Sequence, residues 1–116
     1  SFHEDHVAVY RAAHAALRPN HCRTVRTVLA YETPFYAWAA EEDRFVPNLY
    51  ARLSESQADA KLGLCSVYKS QRLDDAQSQG AVRRHLLRRG MEAEPVPPPG
   101  GGLPYAEAFR LVRGVL

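Results

Sequence analysis

Thr27-Val28-Leu29-Ala30-Tyr31 is a short, unbroken run of β-favouring residues. Without polar alternation it reads as a strand buried on both faces, the kind that a parallel sheet covered by helices produces. Helical patterns lie on both sides of it. Alternating helices and buried strands make the expected fold class α/β.

Ahead of the strand, a helix from about Asp5 to Leu17 is expected to stop before Pro19, because proline disfavours helical geometry in the residue preceding it. Tyr10, Ala13 and Leu17 form an apolar row at helical spacing, with His6 at the head of the buried stripe. Arg18 to Arg26 follows as a basic connector, in which His21 and Cys22 look metal-like only in isolation. Beyond the strand the chain breaks at Glu32-Thr33-Pro34. Open α/β sheets bind ligands past the C-terminal ends of their strands, so Glu32 and Thr33 are candidate substrate-binding residues. A strand-ending turn in which Glu32 bonds nearby backbone accounts for them equally well. Phe35 to Arg44 adds Tyr36, Trp38 and the acidic run Glu41-Glu42-Asp43. An aromatic beside a site can stack on the flat apolar face of a sugar, which makes Trp38 a further substrate-binding candidate. It can as readily fill a gap between two elements.

Phe45 to Leu53 alternates at Leu49, Ala51 and Leu53 and reads as a second strand, confined by Pro47 to an edge or to a start at that point. Ser54-Glu55-Ser56-Gln57 has the form of a capping box, in which serine and glutamine satisfy two orphan backbone donors. The helix that follows is expected to reach about Ser70 and to bury Ala58, Leu62, Cys65 and Tyr68. Gln77 to Arg89 is a third helix, with Val82 and Leu86 facing inward and Gly90 placed for a left-handed cap. Its Arg83, Arg84, Arg88 and Arg89 either grip a phosphate or form a solvated face favoured near a helix C-terminus. Met91 to Pro104 is a proline- and glycine-rich loop. Tyr105 to Leu116 is a final strand offering Phe109, Leu111 and Val112 to the core, with Glu107 as a brace. No internal repeat is present.

Composition narrows the function. With 46% hydrophobic and 24% charged residues the 116-residue chain has the make-up of a globular domain. A formal charge of +2 is too slight for a nucleic-acid surface. No apolar run approaches a membrane span, and no signal-peptide pattern occurs. Cys22 and Cys65 match no metal or redox spacing. Two free thiols suit a reducing compartment, and the expected location is cytoplasmic.

The chemistry-bearing residues cluster at the start. His3 and His6 are three apart and share a helical face, with Glu4 and Asp5 between them. Neutral imidazole ligates zinc, and a neighbouring carboxylate fixes its tautomer. A zinc site normally needs at least three protein ligands, and only two candidates are local. The alternative is a polar first turn in which Glu4 and Asp5 complement the helix dipole.

His3-Glu4-Asp5-His6-Val7-Ala8-Val9 resembles the His-Pro-Asp-His motif and following helix of the PIG-L (LmbE-like) family of zinc-dependent N-deacetylases. Further matches come in family order: Tyr31-Glu32-Thr33-Pro34, Phe45-Val46-Pro47-Asn48, Lys61 through Tyr68-Lys69-Ser70-Gln71, Arg89-Gly90, and Tyr105-Ala106-Glu107-Ala108-Phe109. The resemblance covers essentially the whole chain. Glu4 stands where the family usually has proline. The family's Ala-His-Pro-Asp-Asp-Glu type motif, which supplies two zinc ligands and the general base, has no counterpart here.

The resemblance therefore implies one partial domain over residues 1–116, with a Pro/Gly-rich loop at 91–104, forming the C-terminal portion of a Rossmann-like layered sheet with flanking helices. It implies Zn2+ as cofactor, His6 as metal ligand, His3 as oxyanion stabiliser or proton donor, and Asp5 as the group that orients an imidazole. The implied substrate is a small acetylated amino sugar such as an N-acetylglucosamine conjugate. The chain by itself is expected to be inactive and, with a sheet edge exposed, to self-associate as a homo-oligomer. The rival expectations are a non-catalytic remnant, or a module that binds an acidic or phosphorylated partner through the arginine helix.

Overall fold

The computed structural model describes residues 4–32, 45–68, 73–96 and 100–114. In chain order these form α1 (Glu4–Ala16), β1 (Val28–Tyr31), β2 (Leu49–Leu53), α2 (Glu55–Val67), α3 (Ala76–Ala93) and β3 (Tyr105–Arg113). The fold is α/β, with a three-stranded sheet in the order β1-β3-β2. β2 runs antiparallel to β3, in register from Leu49 opposite Phe109 to Leu53 opposite Tyr105. The strands divide between two compact units, one made of Leu49–Phe109 and the other of Ser1–Asn48 with Arg110–Leu116.

The 49–109 unit holds the apolar core. Ser54 caps α2 as its spacing predicts: Gln57 N donates to Ser54 Oγ at 3.2 Å, and Ser54 N donates to Gln57 Oε1 at 2.8 Å. Started there, α2 turns Ala58 and Leu62 inward at i, i+4 spacing, and both are buried. It ends at Val67, short of Ser70; Cys65 is only half-buried and Tyr68 is exposed. Val82 and Leu86 repeat the spacing on α3 and are each 1% exposed. Burial of such a side chain contributes about 1.5–3 kcal/mol. Tyr105, Ala106 and Ala108 of β3 complete the core. The core therefore meets the first half of the last strand, whereas Phe109 and Leu111 are half-buried and Val112 is exposed.

Gly90 differs from its expected role. It is buried inside α3, which runs on to Ala93. A Cβ at Gly90 would lie 1.4 Å from the Pro104 carbonyl oxygen. The residue is glycine because the chain leading into β3 crosses the helix there at backbone distance. The N-terminus of α3 carries a cap that the Ser-x-x-Gln pattern does not flag: Asp75 Oδ1 accepts from Ser78 N at 2.8 Å and Oδ2 from Ser78 Oγ at 2.9 Å.

The second unit is built differently. α1 forms over almost the expected residues but buries none of them. Tyr10 is 55% exposed and Ala13 is exposed, so the expected buried stripe headed by His6 does not exist. Alanine and valine at helical spacing satisfy the apolar pattern without demanding a partner surface, and Tyr10 instead stacks on His14 with ring centroids 5.8 Å apart. β1 likewise corrects its expectation. Its residues alternate between half-buried and exposed, with Tyr31 74% exposed, so it is not a strand covered on both faces. Asn48 Oδ1 accepts from Leu111 N at 2.8 Å, just ahead of β2 and past Pro47. Arg113 donates to the carbonyls of Leu17, Cys22 and Val25. Among the described residues, no helix is long and apolar enough to cross a membrane.

Candidate functional site

Glu4 and Asp5 open α1, where carboxylates complement the positive end of the helix dipole. Asp5 and His6 are both exposed on this first turn. Glu32 is half-buried one residue past the end of β1. His3, Thr33 and Trp38 lie outside the described residues. The structure thus places Asp5 and His6 together on one turn and Glu32 at a strand end. Among the described residues, no group of three or more His, Cys, Asp or Glu side chains could hold a metal ion. His6 and Asp5 have the right donor chemistry for zinc but not the number, so the described residues alone do not fit a zinc centre. His21 and Cys22 do not add to it: Cys22 Sγ lies 3.9 Å from Thr24 Oγ1, and its backbone carbonyl accepts from Arg113.

The arginine helix does not present four cations to a ligand. Arg83 donates to Asp59 at 2.5 Å and to the Tyr105 hydroxyl at 3.4 Å. Those bonds, Asp59 foremost, raise its pKa further, against a small opposing effect of desolvation. Arg89 is 7% exposed and donates through Nη1 to both oxygens of Glu92, at 3.1 and 2.7 Å. Arg88 makes a longer contact to the same carboxylate, at 3.5 Å. Burial pushes Glu92 up, but hydrogen bonds from Arg89 and Tyr50 and the charges of Arg89 and Arg88 outweigh it and hold the carboxyl below its ordinary range. Three of the four guanidiniums are therefore occupied by the chain's own acids. An acidic or phosphorylated partner would have to displace them.

Two further groupings were not visible in the sequence. Lys61 on α2 pairs with Glu107 on β3, so Glu107 does act as a brace. A cleft of about 560 Å³ opens between Arg52, Glu55, Glu94 and the Leu103-Pro104-Tyr105 segment. Glu94 Oε2 is buried there, 2.9 Å from Arg52 Nη2 in an ion contact that lacks hydrogen-bond alignment. Each grouping joins residues tens of positions apart, and only a helix-to-strand or strand-to-loop register brings them together.

No protein-family model matches the chain, and no solved structure matches it. An uncharacterized deacetylase of Escherichia coli (strain K12), YaiS, is 35% identical over 68 residues. The match takes in 59% of this chain and spans 31% of that protein's length. The likeness is thus to part of a protein called a deacetylase.

Proposed function

We propose that this chain forms part of a zinc-dependent N-deacetylase of the PIG-L (LmbE-like) type, acting on an N-acetylglucosamine-type conjugate. The observation that carries the reading is the 35% identity over 68 residues to a deacetylase. The ordered motif series from His3 to Phe109 agrees with it. In this reading residues 1–116 are the C-terminal portion of a Rossmann-like domain in the cytoplasm. His6 supplies one zinc ligand from the exposed first turn of α1, and the remaining ligands come from outside the described residues. Asp5 orients an imidazole, which fixes its tautomer and raises its basicity. His3 serves the oxyanion or the leaving amine. Glu32, Thr33 and Trp38 line the approach of the sugar.

The test uses the longest in-frame protein that contains this chain. It should release acetate from an N-acetylglucosamine conjugate in a zinc-dependent manner, and His6→Ala should reduce the rate to background. Activity that survives metal chelation, or full activity in the His6→Ala variant, would sink the proposal.

A further inference from the structure

The helix that carries Asp5 and His6 is thinly packed: none of its described side chains is buried, and Val7 is half-buried. A polar tether holds its far end. Leu17 N continues the helical pattern by bonding to Ala13 O at 2.9 Å. Leu17 O belongs to the group of carbonyls that a helix C-terminus leaves without intrahelical donors. It accepts from Arg113 Nη1 at 2.5 Å.

Nη2 of the same guanidinium donates to Val25 O at 2.6 Å and to Cys22 O at 3.5 Å. Arg113 is the last residue of β3 and is half-buried, so its anchor point is a strand of the sheet and its bonds are only partly screened. All three acceptors are main-chain carbonyls. The contact therefore fixes the path of the connector whatever side chains the connector bears. A guanidinium suits this role because its donors form a planar, rigid fork, and a cation at the negative end of the helix dipole is stabilising as well.

We propose that Arg113 is a positioning residue for Asp5 and His6, acting through α1; this rests on the deacetylase reading. The geometry is that of a lever. Eleven residues at 1.5 Å each separate Leu17 from His6, so a swing of about 10° at the tether moves His6 by roughly 3 Å. Displacements of about 1 Å can cost a hundredfold in rate. A residue at the opposite end of the helix from the chemistry is thereby coupled to it.

The experiment compares Arg113→Ala and Arg113→Lys with the unsubstituted full chain by amide hydrogen exchange. In Arg113→Ala, α1 and residues 18–26 should exchange at least about tenfold faster, with α2 and α3 unchanged. Arg113→Lys, which keeps the charge but not the fork, should fall between. Unchanged protection of α1 overturns the tether, and a loss of protection throughout the chain overturns a role confined to positioning. In the longest in-frame protein, Arg113→Ala should lower kcat for zinc-dependent acetate release about a hundredfold while KM moves by no more than about twofold. Unchanged kcat beside faster exchange of α1 overturns the catalytic half of the proposal. Absence of acetate release by the unsubstituted protein overturns the deacetylase reading and that half with it, and the exchange result still decides the tether.

Discussion

Gly63 and Gly90 both sit inside helices, and a side chain would act on them in opposite directions. At Gly90 a Cβ would meet the Pro104 carbonyl oxygen at 1.4 Å, a backbone atom that no rotamer change can move aside. Gly90→Ala should therefore destabilise the protein by about 3 kcal/mol, the upper range of overpacking. At Gly63 nothing lies within 4 Å of the same atom. Alanine there restores ordinary helix propensity, and Gly63→Ala should stabilise by up to about 1 kcal/mol. Urea unfolding midpoints that shift in opposite directions would bear this out; equal shifts would refute it. The sequence marks Gly90 as a helix end because a glycine follows a helical run. What it cannot display is the Pro104 carbonyl, which reaches Gly90 only after α3 and β3 have packed.

Among the elements, α3 is the most exposed to acid. Asp75 is held below its ordinary 3.8 chiefly by the Ser78 backbone N–H at the cap. Glu92 is held below its ordinary 4.5 because its arginine and tyrosine partners outweigh the effect of burial. A carboxyl depressed on folding contributes stability that is fully present above its unfolded value and is lost as pH falls through the folded one. Helicity and unfolding free energy should thus hold down to about pH 4.5 and decline below it. Glu92→Gln should be less stable at neutral pH, because the buried Arg89 loses the Glu92 charge it donates to, and should show a shallower acid slope. Parallel acid titrations of the two proteins by circular dichroism would show it; identical slopes would contradict it. Elements were legible where a local pattern sets them. The Ser54–Gln57 box placed the start of α2 at once, because both partners lie within one turn. β1 was misread because an unbroken apolar run looks the same whether helices cover it or it lies beside a single strand. α1 was misread in burial because its alanines fit any surface. The candidate site was legible only as types: imidazole and carboxylate in one turn, and a glutamate at a strand end. The other candidates, His3, Thr33 and Trp38, lie outside the described residues.

For the molecule as a whole, every fully buried apolar residue among those described belongs to the 49–109 unit. Stability should be distributed in the same way. Leu86→Ala, which opens a cavity in that core, should cost about 2–5 kcal/mol. Val9→Ala on the exposed face of α1 should fall within about 0.5 kcal/mol of zero. Chemical denaturation of both variants checks the contrast, and a large loss for Val9→Ala would show that α1 has a covered face after all. The division between units also carries a schedule. Residues 49–109 are contiguous, whereas the other unit joins the first 48 residues to Arg110–Leu116. A ribosome adding about 5–20 residues per second takes roughly 3–12 s to make the intervening 61. Throughout that interval the histidine-bearing helix exists with Arg113 still unmade, so its tether at Leu17 closes only after the 49–109 segment has been synthesised.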